Sequence, residues 1–332
     1  MRPLEEFIKP TQEELFKKLK DMFVGKTSSC KNSYVLVHGE ALIMLVAHLD
    51  TVHKEPVRQI CKTSNGTILM SPQGIGGDDR CGVYALVTVY ERSNIKPWLL
   101  FTCDEEIGGV GVKQFCIKHQ KGKLPKELDD LKLIVEIDRK GNNDAVYYDC
   151  ENPEFEDYIT SKGFKTDFGS FSDISYVAPE LKTAAVNLSS GYYNAHTLHE
   201  YIHRKQLNAT VRKVVEIVAD CAKPDFPKYE YIEAVRSFRG RYGYYGGWND
   251  DFSDWSAKPP LSKEDDGEPN LDDVPDEIIE EYIALLDFYT TEELDNIRKE
   301  HGDAAITMLC QSEFGDDYYE MFGYEDEQED EG

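Results

Sequence analysis

Five short apolar runs, at 33–37, 41–47, 98–102, 131–137 and 183–188, carry Val, Ile, Leu, Met and Phe almost without polar alternation. A strand that is apolar on both sides of its pleat has to be covered on both faces. Helix-like stretches at 82–92, 110–119 and 153–162 fall between these runs, so strand and helix alternate along the chain. That order predicts an α/β fold with three layers, α/β/α, around a mostly parallel central sheet. In such sheets ligands gather beyond the carboxyl ends of the strands. His48, Glu105, Glu106 and Asp138 all fall where one of the runs ends.

Those strand ends carry metal chemistry. Ala47-His48-Leu49-Asp50 closes the second run, Gly77-Asp78-Asp79-Arg80-Cys81-Gly82 follows, and Thr102-Cys103-Asp104-Glu105-Glu106 closes the third. Imidazole nitrogen and carboxylate oxygen hold zinc, manganese or cobalt, and two such ions about 3.5–4 Å apart need one shared ligand. Asp78, at a glycine-rich turn before a helix, is placed to bridge. His48 with Asp138 completes one ion, and Glu106 with His196 the other. Asp50 can accept a hydrogen bond from the ring nitrogen of His48 that faces away from metal, fixing tautomer and orientation. Glu105 is the candidate general base, because metal lowers the pKa of water from about 15.7 to near 7 and a carboxylate beside it can take the proton and pass it to the departing amine. The reaction expected is amide hydrolysis.

Each piece has a blander meaning alone. A histidine ending a buried strand is more often a satisfied core residue, Asp78 and Asp79 could cap the helix, and Glu105 with Glu106 could sit on a solvated loop. Glu136 could stand in for Asp138. Joint order, spacing and strand-end placement select the metal site. Asp79 and Arg80 are read as structural, and Asp173 as either a turn or a pocket residue.

Together these residues resemble the co-catalytic zinc metallopeptidase clan of leucyl-type aminopeptidases, peptidase T and glutamyl aminopeptidases. The matches are His48-Leu49-Asp50, Asp78 with Gly82 four residues on, Glu105-Glu106, Asp138 and Ala195-His196-Thr197-Leu198-His199-Glu200, over residues from about 35 to 222. His196, His199 and His203 compete for the last ligand, and His196 is preferred because Glu200 stands four residues beyond it, as in the clan. Gly169-Ser170-Phe171-Ser172-Asp173 is similar to the segment lining the clan's pocket. Relatives with a lid or dimerisation domain insert it between the Asp ligand and the last His, or between the first His and the bridging Asp. Only 57 residues separate Asp138 from His196 and 29 separate His48 from Asp78, so neither insertion is expected.

The resemblance implies a two-metal exopeptidase, zinc-dependent with manganese or cobalt as alternatives, most simply an aminopeptidase acting on peptides. The rival within the same chemistry is a deacylase or carboxypeptidase acting on N-acyl amino acids or small amides. The rival from another class is a metal-containing binding or scaffold protein that acts through an acidic tail.

The formal charge of −26 is concentrated at one end: residues 263–332 hold 26 Asp and Glu against 3 Lys and Arg, a net of −23, which leaves −3 for residues 1–262. Such a tail repels phosphate backbones and no basic patch offsets it, so nucleic-acid binding is disfavoured. No apolar run approaches the roughly 20 residues that span a bilayer, and no signal-peptide layout opens the chain, so a cytoplasmic location is expected. Eight cysteines without a CxxC pair read as reduced thiols.

Thr11-Gln12-Glu13-Glu14 has capping-box spacing and opens an amphipathic helix, and 204–221 reads as a helix closing the catalytic domain, 1–225. A Gly/Tyr-rich segment and linker at 226–269, an acidic helical extension at 270–322 and a disordered acidic tail at 323–332 complete the expected organisation. Within the extension, helices are expected over 274–288 and from about 290 to 309, the latter broken at Gly302. The extension could dock on a protein partner or serve solubility.

Overall fold

The computed structural model describes residues 2–169, 171–234, 274–275, 278, 281–282, 285 and 291–314. The chain divides into two compact units, Met1–Tyr245 and Gly246–Gly332. In the first, α1 (Glu5–Ile8) and α2 (Gln12–Met22) precede β1 (Thr27–Cys30), β2 (Tyr34–Val37) and β3 (Ile43–His48). Two short strands, β4 (Cys61–Lys62) and β5 (Ile68–Met70), lead to α3 (Gly77–Arg92), β6 (Trp98–Thr102), α4 (Val110–Gln120) and β7 (Leu133–Arg139). β8 (Asp144–Val146), α5 (Pro153–Ser161), β9 (Lys165–Thr166), α6 (Ile174–Leu181) and β10 (Ala185–Ser189) follow. β11 (Tyr192–Tyr193), β12 (Tyr201–His203) and α7 (Arg204–Cys221) close the series.

Eight strands form one sheet in the order β1-β2-β6-β3-β7-β10-β8-β9. Its centre, β6-β3-β7-β10, is parallel, and antiparallel pairing enters only at β2 and β8 on the flanks and at β1 beyond β2. The pleat divides the core as the apolar runs require. Val35, Leu45, Phe101 and Val135 point to one face with residues of α1, α2, α3, α5 and α7, while Leu36, Met44, Leu100 and Ile134 point to the other with residues of α4 and α6. The result is the three-layer α/β/α sandwich expected, with its mostly parallel sheet. At roughly 1.5–3 kcal/mol for each fully buried aliphatic or aromatic side chain, these two cores dominate the stability of the unit.

Local signals hold as well. Thr11 accepts from the Glu14 N–H and the Glu14 carboxylate accepts from the Thr11 N–H, the reciprocal capping box that starts α2. Leu15 and Leu19 of that helix are fully buried, and α7 spans the residues expected.

Three features differ from the sequence reading. A second sheet, β11-β12-β5-β4, is built from the stretch between His48 and α3 and the stretch before α7. Its strands of two or three residues are too short to show a period. α6 was not anticipated, since Pro179 lies inside it and it is only 8 residues long. The residues after α7 do not leave the unit at 225: Tyr229 is buried in the core, and Thr183 pairs with Glu230 and Cys150 with Glu233.

In the second unit, helices Thr291–His301 and Ala304–Phe314 meet at Gly302, whose φ of +83° suits the break expected there. Tyr282, Leu285, Leu294, Ile306 and Cys310 form a small apolar cluster. Most of the Gly/Tyr-rich segment and linker at 226–269, most of the helix expected over 274–288 and the acidic tail at 323–332 lie outside the described residues. Among the described residues, no helix is long and apolar enough to cross a membrane. All eight cysteines are free thiols, six of them buried.

Candidate metal centre

The sheet register brings the dispersed motifs together. His48 pairs with Thr102 at the carboxyl end of β6, so the β6–α4 loop with Glu105 and Glu106 starts beside it. Val46 pairs with Glu136 on β7, which places Asp138 level with His48 at the carboxyl ends of the two central strands. Asp78 arrives from the first turn of α3, where Asp78 and Asp79 are not helical (φ −82°, ψ 105° and φ −112°, ψ 39°) and are joined by a cis peptide.

Asp78 lies between two histidines. Its Oδ1 is 3.2 Å from His48 Nε2 and its Oδ2 is 3.3 Å from His196 Nε2. Each histidine faces a second carboxylate: His48 Nε2 is 3.5 Å from Asp138 Oδ1, and His196 Nε2 is 3.2 Å from Glu106 Oε2. The far nitrogen of His48, Nδ1, is 3.2 Å from Asp50 Oδ1. Asp50 also accepts the N–H groups of Glu105 (3.1 Å) and Glu106 (3.0 Å), so one carboxylate fixes both the imidazole and the loop opposite. All five residues expected as metal ligands, together with Glu105 and Asp50, meet at one place.

Among the alternatives, His199 is exposed at its own turn, and the ring of His203 accepts from the Gln206 N–H at the start of α7. Only His196 reaches the carboxylates. It does so with φ at +65°, a conformation that costs a non-glycine residue on the order of 1 kcal/mol or more and aims the ring inward. Glu136 is wholly buried and accepts from the Ser172 hydroxyl instead.

The electrostatics are those of crowded acid. Burial pushes the carboxyls of Asp138 and Asp79 well above the ordinary range, and neighbouring aspartates add to it. Burial also lifts Glu105 to about 7; His48 opposes this, while Asp173 and Glu106 reinforce it. Asp78 goes the other way: burial works against its charge, but hydrogen bonds from His196 and His48 hold it well below the usual carboxylate range. Buried like charges at this density need a positive partner.

Two observations fit a cation in that role. Glu106 Oε1 and Asp138 Oδ1 are buried and accept no hydrogen bond, although each belongs to a carboxylate facing a histidine. Donor atoms of His48, Asp78 and Glu106 lie within 4.8 Å of one another, as do those of His48, Asp79 and Asp138. In the second group Asp79 is already engaged: its oxygens accept the N–H groups of Gly82 (2.8 Å) and His48 (3.3 Å). Asp79 therefore belongs to the scaffold, and the histidine–carboxylate set around Asp78 suits a hard or borderline divalent ion.

Gly82 explains its own spacing from Asp78. A Cβ there would sit 2.3 Å from Asp79 Oδ2 and 2.3 Å from the Ile137 carbonyl oxygen, so only glycine lets α3 approach the end of β7 with the Asp79 carboxylate between them. Arg80 is buried and ties the site to the N-terminus, donating from Nη1 to the carbonyls of Phe7 (3.1 Å) and Pro10 (2.8 Å). Gln12 does the same for the loop opposite, exchanging two hydrogen bonds with Asp104 just before Glu105. Neither link is marked in the sequence, because each joins residues about 70 to 90 positions apart. Asp173 is a buried residue in the turn that starts α6, where its carboxylate accepts from the Thr102 hydroxyl.

The sequence matches no protein-family model and no curated protein. Solved structures do share the fold. The chain is similar to a tripeptidase from Staphylococcus aureus subsp. aureus Mu50, at 16% identity and a TM-score of 0.51 over 66% of this chain and 96% of that one. It is similar also to the aminopeptidase PepT from Bacillus cereus ATCC 10987, at 15% identity and a TM-score of 0.50 over 66% of this chain and 97% of that one. The three-layer architecture that the motif resemblance implied is thus shared with these two peptidases.

Proposed function

We propose that this chain is a hydrolase of peptide or small amide bonds that uses two divalent cations, zinc with manganese or cobalt as alternatives, and acts as an exopeptidase, most simply an aminopeptidase. The observation that carries this is Asp78, whose two carboxylate oxygens each face a different histidine, each histidine in turn facing a further carboxylate. His48, Asp138 and one oxygen of Asp78 would hold one cation; His196, Glu106 and the other oxygen would hold the second. When bound, the pair supplies Lewis acidity and a lowered pKa for the attacking water.

The remaining work falls to the chain. Glu105, poised by burial near neutral pH, takes a proton from the attacking water at its carboxylate and delivers it to the departing amine nitrogen. Asp50 holds the His48 ring by Nδ1 and the backbone of Glu105 and Glu106 by their N–H groups, so the base cannot drift from the ligands. The fold shared with a tripeptidase and an aminopeptidase supports a peptide as substrate.

The test pairs metal analysis with Glu105→Gln. Wild type is expected to take up two ions per chain and to hydrolyse peptides with a free amino terminus. Glu105→Gln is expected to take up the same ions and lose about 10²- to 10⁴-fold in kcat, the usual worth of a general base. Absence of bound transition ions in purified protein, with no hydrolysis on adding zinc, manganese or cobalt, would overturn the proposal; normal turnover by the variant would overturn the role of Glu105.

A further inference from the structure

The backbone that presents Asp78 has no cap of its own. α3 begins at Gly77, after the N-cap Gly76, whose φ is +61° and which has no side chain to accept the N–H groups exposed at a helix start. A residue 122 to 124 positions away does this instead. Glu200 is fully buried; its Oε2 accepts from the Gly76 N–H at 2.9 Å and its Oε1 from the Asp78 N–H at 3.0 Å. The same Oε2 lies 2.8 Å from His53 Nε2, and the ring of His53 is itself held close, since a Cβ on Gly74 would sit 2.2 Å from its Nδ1.

Glu200 comes from the turn that carries His196. That turn is braced internally: the Glu200 N–H donates to the Thr197 carbonyl at 3.1 Å, and the Thr197 hydroxyl to the Asn194 carbonyl at 2.9 Å. One short segment therefore supplies the histidine facing Glu106 and grips the backbone of the aspartate between the two histidines.

Resting on the two-cation reading above, we propose that Glu200, steadied by His53, is a positioning residue that locks the bridging carboxylate of Asp78 to the His196 turn, so that the two cations bind as a coupled pair. Glu200 touches no cation and no substrate. It acts through Asp78, and because Asp78 serves both ions, loosening it weakens both.

A glutamine at 200 keeps shape and volume but replaces one acceptor oxygen with an N–H₂ group, which would face the Gly76 or Asp78 N–H. Outer-shell residues of this kind are worth about 10- to 100-fold in metal affinity. The experiment is calorimetric titration of metal-free protein with zinc, and separately with manganese, for wild type, Glu200→Gln, His53→Leu and His53→Gln. Wild type is expected to bind two ions with coupled affinities. Glu200→Gln is expected to bind both about 10- to 100-fold more weakly and in separate steps. His53→Leu, which leaves Glu200 in place and covers the case in which the first variant does not fold, is expected to weaken both ions to a smaller degree. His53→Gln retains a donor to Glu200 and is expected to restore wild-type affinity. Wild-type binding of both ions by Glu200→Gln, or by His53→Leu if only that variant folds, overturns the anchoring role while leaving the two-cation reading intact. A wild-type protein that takes up no ion overturns that reading and the anchor with it.

Discussion

Replacing Gly82 with Ala sets two effects of opposite sign against each other. In the interior of a helix, Ala is favoured over Gly by about 1 kcal/mol, so on propensity alone the variant should be more stable. The packing says otherwise. The new methyl carbon would lie 2.3 and 2.4 Å from the two carboxylate oxygens of Asp79 and 2.3 Å from the backbone oxygen of Ile137, more than 1 Å inside ordinary contact. None of these atoms is the free end of a flexible chain: Asp79 is fully buried and Ile137 belongs to β7. Either α3 lifts off the sheet, at roughly 1–3 kcal/mol for overpacking, or the Asp79 carboxylate leaves its bonds to the Gly82 and His48 N–H groups, each worth about 1.5–3 kcal/mol. After subtracting the helix term the net loss is up to about 2 kcal/mol by the first route and about 2–5 kcal/mol by the second. At roughly 2–4 °C per kcal/mol for a domain of this size, the melting temperature of the metal-free protein should fall in scanning calorimetry, by up to about 8 °C if the helix lifts and by about 4–20 °C if the carboxylate is displaced. Because Asp79 anchors the backbone of His48, metal uptake should weaken in the same variant. A melting temperature above that of wild type, the result helix propensity alone predicts, would refute the close approach of α3 to β7 and the scaffold role given to Asp79.

Two further outcomes follow from other parts of the molecule. Asp220 is held down to about 2, against the opposing effect of burial, by hydrogen bonds from Lys162 and Lys223, so it contributes stability that is present above the ordinary carboxylate range and lost as pH falls towards 2. Lys162→Met should lower the melting temperature slightly at pH 7, and the gap from wild type should close between about pH 4 and 2; a gap that widens on acidification would contradict this sign. All seven candidate site residues lie in the first unit, so deleting 263–332 should leave metal uptake and hydrolysis unchanged in parallel titration and rate measurements, and loss of either would assign the acidic extension to the site.

The central sheet was legible because its strands announce themselves. β3 is apolar from Ile43 to Ala47 and β7 from Leu133 to Ile137 but for the buried Glu136, and nothing but a covered sheet accommodates runs buried on both faces. α2 was legible through its cap, and α7 through the apolar residues Leu207, Val211, Val214 and Val218 spaced at helical intervals. The small sheet was not, because its strands are two or three residues long and its two halves, β4 with β5 and β11 with β12, are joined across a long stretch of chain: Leu69 pairs with Ile202, and neither stretch carries a period of its own. α6 was hidden by Pro179, which lies 5 residues past the first helical residue, Ile174, and reads as a breaker.

The site divides along the same line. Residues whose chemistry is intrinsic, the histidines and carboxylates at strand ends, could be found by type and spacing. Residues whose role is relational could not. In the sequence Glu200 is only a spacing mark four residues after His196, yet it satisfies the backbone donors beneath Asp78. Arg80 reads as structural from the sequence, but its partners, the carbonyls of Phe7 and Pro10, do not, and Gln12 is an ordinary polar residue until the fold sets it against Asp104. The physical reason is that a ligand must present a particular atom, which restricts residue type, whereas a backbone donor accepts any oxygen that arrives at the right place. Asp78 shows both kinds at once: its carboxylate is dictated by what lies between His48 and His196, while the direction it points is set by a residue more than a hundred positions away.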